Sequence, residues 1–191
     1  MIGIKEPEWA QKDDHLADYR LLSFDFETFH SREGLQVPQW VVVGFHEENG
    51  ETSRSWVTRD PDEIEEVMLD ALLDPECHIV NDNLVYDLMV LNEFWPVTSE
   101  PTFVALDEGR LHCTMLRQML IYLAEGRYKY DYKYGNRRPT FGLAEPALEY
   151  LGLDLYDEKK NPDAWRSRYH FLVDVPLEEW PKDAIDYVAM D

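Results

Sequence analysis

Residues Leu21 to Thr28 read LLSFDFET, and this stretch decides the fold. Leu21 to Phe26 is a β-rich run that ends in acidic and hydroxyl residues. In a strand, residues i and i+2 share a face, so Leu22, Phe24 and Phe26 serve packing while Asp25 and Glu27 point together to the other side. Two anions side by side cost free energy unless a cation or a proton intervenes. Taken alone, the pair is equally readable as two solvated acids at a strand end, in a chain with 39 acidic residues.

Outward from this strand the pattern is regular. WVVVGF (Trp40 to Phe45) reads as a second strand of buried type, and SRSWVT (Ser53 to Thr58) as a third, joined through Glu48-Asn49-Gly50. Short loops between three strands predict an antiparallel meander. A helix follows, with Asp60 as N-cap, Pro61 at its first position, Glu63 completing a capping box, and Ile64, Val67, Met68, Ala71 and Leu72 on one face. HIVN (His78 to Asn81) predicts a fourth strand and Tyr86 to Trp95 a second helix. After a loop rich in Pro and Thr, Leu111 to Thr114 reads as a fifth strand feeding a helix from Met115 to Ala124. Further helices are expected over Phe141 to Leu151 and from Pro181 to the end. The order predicts an α/β layer fold with a mixed sheet covered by helices, whose ligands gather at strand ends.

Two more acidic patterns sit where such a sheet would collect them. Asp87, in NLVYD (Asn83 to Asp87), opens an otherwise apolar helix, where the dipole favours a carboxylate. YVAMD (Tyr187 to Asp191) places a phenol and a carboxylate four residues apart, on one helical face. Each is ordinary by itself; their joint occurrence, in this order, is not.

With these motifs the chain resembles the DEDD 3′-5′ exonucleases, of ribonuclease H-like fold, in the tyrosine-bearing subgroup. FDFET (Phe24 to Thr28) looks like the first motif, NLVYD the second and YVAMD the third; CTMLRQMLIYL (Cys113 to Leu123) and FGLAEPALEYLGLDL (Phe141 to Leu155) look like the helices between. PDAWRSRY (Pro162 to Tyr169) and VPLEEWPKDAIDYVAMD (Val175 to Asp191) look most like the proofreading domain of phage- or plasmid-type family A DNA polymerases. Asp82 and Cys113 depart from the family pattern, standing where relatives carry histidine and aspartate.

The resemblance implies a ribonuclease H-like, five-stranded mixed sheet flanked by helices, with residues 1–18 as a leader and 19–191 as a 3′-5′ exonuclease domain, a fragment of a longer polymerase chain. It implies catalytic residues Asp25, Glu27, Asp87, Tyr187 and Asp191, with the four acids holding two Mg²⁺ or Mn²⁺ ions. Carboxylates are hard oxygen ligands suited to those ions, and two of them can clamp a phosphodiester. The implied substrate is a single-stranded DNA 3′ end. A ribonuclease D-like exoribonuclease and a noncatalytic module on the same fold remain open.

Composition bounds these readings. The 191 residues carry 39 acidic against 18 basic side chains, a formal net charge of −21, with 45% hydrophobic and 13% aromatic content. That rules out a disordered acidic tail and opposes broad attraction to phosphate backbones. Two cysteines and the lack of a basic, then apolar, amino-terminal run predict a cytoplasmic protein with reduced thiols. Five of the eighteen basic residues, Arg127, Lys129, Lys133, Arg137 and Arg138, cluster among four tyrosines (Tyr128, Tyr130, Tyr132 and Tyr134). This composition suits single strands, as it suits an exposed β-ribbon. With Asn83 they form the expected nucleic-acid contacts. Lys159, Lys160, Arg166 and Arg168 make a second group, Trp165 is the tryptophan suited to the substrate side, and His30 and His112 read as structural or surface histidines.

Overall fold

The computed structural model describes residues 19–30, 34, 37–50, 52–127, 142–155 and 165–190, the side chains of 145, 166 and 190 excepted. Five strands, β1 (Arg20–Thr28), β2 (Trp40–Asn49), β3 (Thr52–Thr58), β4 (Cys77–Asn81) and β5 (Leu111–Cys113), form one sheet in the order β3-β2-β1-β4-β5. The meander β1-β2-β3 is antiparallel, while β4 and β5 run parallel to β1. The helices are α1 (Pro61–Leu73), α2 (Leu84–Phe94), α3 (Ser99–Asp107), α4 (Thr114–Ala124), the short α5 (Ala144–Pro146) continuing into a π-helical turn Ala147–Leu151, and α6 (Lys182–Met190). No helix among the described residues is long and apolar enough to cross a membrane.

Alternation along β1 sorts the side chains as the sequence predicts. Leu22, Phe24 and Phe26 enter a core with Phe45, Ile79, Met68 of α1, Leu91 of α2 and Ala105 of α3. The other face carries a second core of Val41, Val42, Tyr169, Trp180, Ala184 and Val188, beneath α6. A β-bulge explains why adjacent valines share it. Glu27 lies opposite Val42 but Thr28 lies opposite Trp40, so Val41 is the extra residue and the alternation of β2 resets there. Trp40 thereby turns to the first core.

α6 lies so close to β2 that only glycine fits beneath it. A Cβ on Gly44 would sit 2.2 Å from the Val188 carbonyl oxygen. The segment leading into α6 is tied down by Arg59, which donates from Nη1 to the Val175 carbonyl (2.8 Å), from Nη2 to the Val173 carbonyl (2.6 Å) and from Nε to the Val41 carbonyl (3.0 Å). Its guanidinium also covers the Trp180 ring.

Several local expectations are corrected. The stretch after Trp95 is not a loop but a 3₁₀ turn (Pro96–Thr98) followed by α3. Pro101 stands in the first turn of α3, where no intrahelical acceptor awaits its missing N–H. The Thr98 and Thr102 hydroxyls donate to the Trp95 and Thr98 carbonyls, so neither competes with the helix. At α1, Asp60 caps through the Asp62 N–H, but Glu63 does not close a capping box. Glu63 accepts instead from the Thr58 hydroxyl, which in turn accepts from the Asp60 N–H. α2 starts at Leu84, two residues early, because buried Leu84 anchors its first turn.

Candidate active site

The site begins where two parallel strands part. β1 and β4 pair from Arg20 with Cys77 to Leu22 with Ile79, and beyond that point β1 has side chains for a neighbour. The Asn81 amide replaces a strand by accepting from the Phe24 N–H (3.0 Å) and donating to the Phe24 carbonyl. Asp87 takes the next position, accepting from the Phe26 N–H through Oδ1 (3.1 Å). The sequence signal for Asn81 is an asparagine that closes β4 right after the apolar pair Ile79-Val80.

The parting opens a cleft of about 230 Å³, lined by Asp25, Glu27, Asn81, Asp82, Asn83, Tyr86, Asp87 and Tyr187 among others. Three of the four predicted acids and the predicted phenol therefore converge from β1, α2 and α6. Asp191 lies outside the described residues. Asn83 precedes α2 in a left-handed conformation (φ 50°) and lines the same cleft. Asp82, noted in the sequence only as a departure, accepts from the Thr114 hydroxyl (2.9 Å) and the Leu143 N–H (3.1 Å), tying the entries of α4 and α5 to the rim.

The electrostatics are those of crowded anions. Burial, and then the Asp25 carboxylate, push Asp87 up to about 8, against the opposing effect of the Phe26 N–H. Burial raises the Tyr86 phenol, opposed by its bond with the Thr28 hydroxyl (2.6 Å) and reinforced by Asp87, Asp25 and Glu27. Among the described residues, no three His, Cys, Asp or Glu side chains stand close enough together to hold a metal ion. The donor set nonetheless fits a hard divalent cation. All its ionisable acids are carboxyls, hard oxygen ligands once deprotonated, and Asp87, buried beside Asp25, gives up its proton only at about 8 unless a cation is near.

The predicted nucleic-acid residues fare differently. Arg127 is exposed at the end of α4, where it meets Glu125 (3.0 Å) and Glu149 (2.8 Å) and covers the Tyr122 ring at 4.2 Å. It is not among the residues lining the cleft. Lys129, Lys133, Arg137, Arg138, Lys159 and Lys160 lie outside the described residues. Arg168 covers the Trp165 ring at 4.8 Å, and Trp165 donates its indole N–H to Asp183 of α6 (2.9 Å). His112 is buried in a chain of rings: Arg117 meets its Nδ1 (2.6 Å), and its Nε2 meets His78 Nδ1 (2.7 Å). That is the structural histidine expected.

No protein-family model matches the sequence, and no curated protein matches it. Among solved structures, the chain is similar to the EXO domain of Nibbler from Aedes aegypti, with a TM-score of 0.53 and 12% identity, over 96% of this chain and 77% of that one. This likeness bears out the ribonuclease H-like α/β fold.

Proposed function

We propose that the chain is a metal-dependent 3′-to-5′ exonuclease that removes nucleotides from single-stranded DNA ends, as the editing domain of a polymerase working in the cytoplasm of a bacterial or phage-infected cell. The convergence of Asp25, Glu27, Asp87 and Tyr187 in one cleft carries this reading. A fold like that of an EXO domain agrees with it.

Asp87 gives the strongest chemical argument. Its structural task, accepting the Phe26 N–H, would be met as well by an asparagine without the cost of a buried charge. Pushed up to about 8, the Asp87 carboxyl keeps its proton at neutral pH unless a cation displaces it, and a divalent cation would put the resulting carboxylate to use. Asp25, Glu27, Asp87 and Asp191 would hold Mg²⁺ or Mn²⁺, which when bound supplies charge neutralisation for the scissile phosphate and a more acidic water. Tyr187 orients that water through its hydroxyl. A phenol hydroxyl both donates and accepts a hydrogen bond, which suits it to positioning a nucleophile rather than taking its proton. Asn83, at the rim, faces the incoming strand.

The test is incubation with labelled single-stranded DNA and RNA in Mg²⁺, in Mn²⁺ and in chelator. Metal-dependent shortening of DNA from the 3′ end supports the proposal. Degradation of RNA alone moves the chain to the exoribonucleases, and no degradation of either strand leaves a binding module.

A further inference from the structure

We propose that the groove between α2, α3 and α4 docks one amphipathic helix of a partner protein, a helix with an apolar stripe and basic flanks. The inference does not depend on the nuclease reading, because among the described residues the groove and the cleft share no lining side chain. The groove has a volume of about 680 Å³. Each helix gives it two large apolar side chains at helical spacing: Val85 and Met89 of α2, Phe103 and Leu106 of α3, Leu116 and Leu120 of α4. Their exposure runs from 40% at Leu116 to 66% at Phe103. A lone surface leucine needs no partner, but a contiguous apolar set marks an interaction site.

Two of the helices show that these faces are more than the outer fringe of the core. α2 already buries Asp87, Val90 and Leu91 on its inner side, so Val85 and Met89 make it apolar on two sides. A helix of that kind is one that packs on both. α4 is turned about: the residue it buries is Gln118, while Leu116 and Leu120 look outward.

Length and charge define the occupant. On α2 the lining runs from Leu84 to Glu93, which at 1.5 Å per residue is about 14 Å. The i, i+3, i+4 and i+7 side chains of one helix span about 10 Å and fit within it. Glu93 lines the groove, and on α3 the exposed Glu100 and Asp107 directly follow the lining residues Ser99 and Leu106. Arg117 lines it too, but its Nη2 is turned to His112 Nδ1 (2.6 Å). Acids bordering an apolar floor favour a helix whose flanks carry lysine or arginine. A second copy of the chain fits poorly, since each copy carries a net charge of −21.

The experiment titrates the whole chain into a fluorescein-labelled synthetic peptide of about 18 residues, with leucines along one helical face and lysines elsewhere, and follows anisotropy. One control peptide has the same composition with its leucines scattered around the helix; the other keeps the leucine face and carries glutamate in place of lysine. The wild-type chain should bind the ordered lysine peptide about 10-fold or more tightly than either control, and less tightly as salt is raised. Phe103→Ser and Leu120→Ser should each weaken that binding about 10-fold at an unchanged melting temperature, because both side chains are exposed. Glu93→Gln with Asp107→Asn should narrow the preference over the glutamate peptide. Absence of binding, equal affinity for the ordered and scattered peptides, or binding that survives both serine variants overturns the groove. Equal or tighter binding of the glutamate peptide overturns the basic partner. A dimer seen by sedimentation and dissolved by Leu120→Ser also overturns the proposal, because a second copy would then hold the groove.

Discussion

Replacing Gly44 by alanine should disable the site without touching any of its acids. Gly44 lies opposite Asp25 in the β1-β2 register, and its missing side chain is the space in which α6 rests. The added Cβ would lie 2.2 Å from the Val188 carbonyl oxygen and 2.8 Å from Val188 Cγ1. Nonbonded heavy atoms do not approach that closely, so the helix must retreat by about 1 Å. A carbonyl within a helix cannot rotate aside as a side chain can. Overpacking of this kind costs about 1–3 kcal/mol of stability. Because Tyr187 precedes Val188 on the same helix, the retreat moves the phenol by a similar distance, and a misplacement of about 1 Å costs roughly 100-fold in rate. Denaturant unfolding gives the first number and single-turnover cleavage of a single-stranded oligonucleotide the second. Adding Val188→Ala should not restore either, since the nearer clash is with the backbone. Activity within twofold of wild type, at unchanged stability, would refute the reasoning.

Three further outcomes follow from the geometry. Asp87→Asn should abolish cleavage while keeping or raising stability, whereas Asp87→Ala also strands the Phe26 N–H and should cost about 1–3 kcal/mol; equal unfolding midpoints for the two variants would contradict the strand-replacement role. Tyr187→Phe should slow hydrolysis by about 10- to 100-fold yet leave Mn²⁺ affinity by calorimetry nearly unchanged, because it removes a hydroxyl and no carboxylate; a parallel collapse of metal binding would count against it. His112 is pushed down to about 4 by burial, then by Arg117 and His78, so below its ordinary value the unfolded chain takes up a proton that the folded chain refuses. Stability should therefore fall between about pH 6.5 and 4, by up to about 3 kcal/mol from this group, and a His112→Gln variant with the same pH slope as wild type would show that the ring chain does not contribute.

The sheet was legible because its signals are local. Leu22, Phe24 and Phe26 alternate, the WVVVGF run is buried, and Asp60-Pro61 marks a helix start that the structure reproduces. The convergence of Asp25, Glu27, Asp87 and Tyr187 was legible from motif order. What escaped the sequence depends on contacts between distant residues. Whether Pro101 breaks a helix or sits harmlessly in its first turn depends on where that helix begins. Asn81 and Asp82 look like turn residues until β1 and Leu143 are placed beside them. Arg127, read from composition as a phosphate contact, also pairs with Glu149, 22 residues along the chain, a partner its local sequence does not indicate. Val41 and Gly44 look like ordinary strand residues, and only the bulge and the approach of α6 show their roles.

The way β1 borrows side chains in place of a neighbouring strand also sets the routes by which a lineage of such proteins can lose its chemistry. On the proposed reading, an exchange of Asp87 for asparagine should silence the site yet preserve the acceptor that the Phe26 N–H requires, so the fold should survive the loss. Exchange for an apolar residue should remove function and that acceptor at the same step. Inactive descendants should accordingly carry an amide at this position, and that amide would mark former catalysis in a chain otherwise read as purely structural.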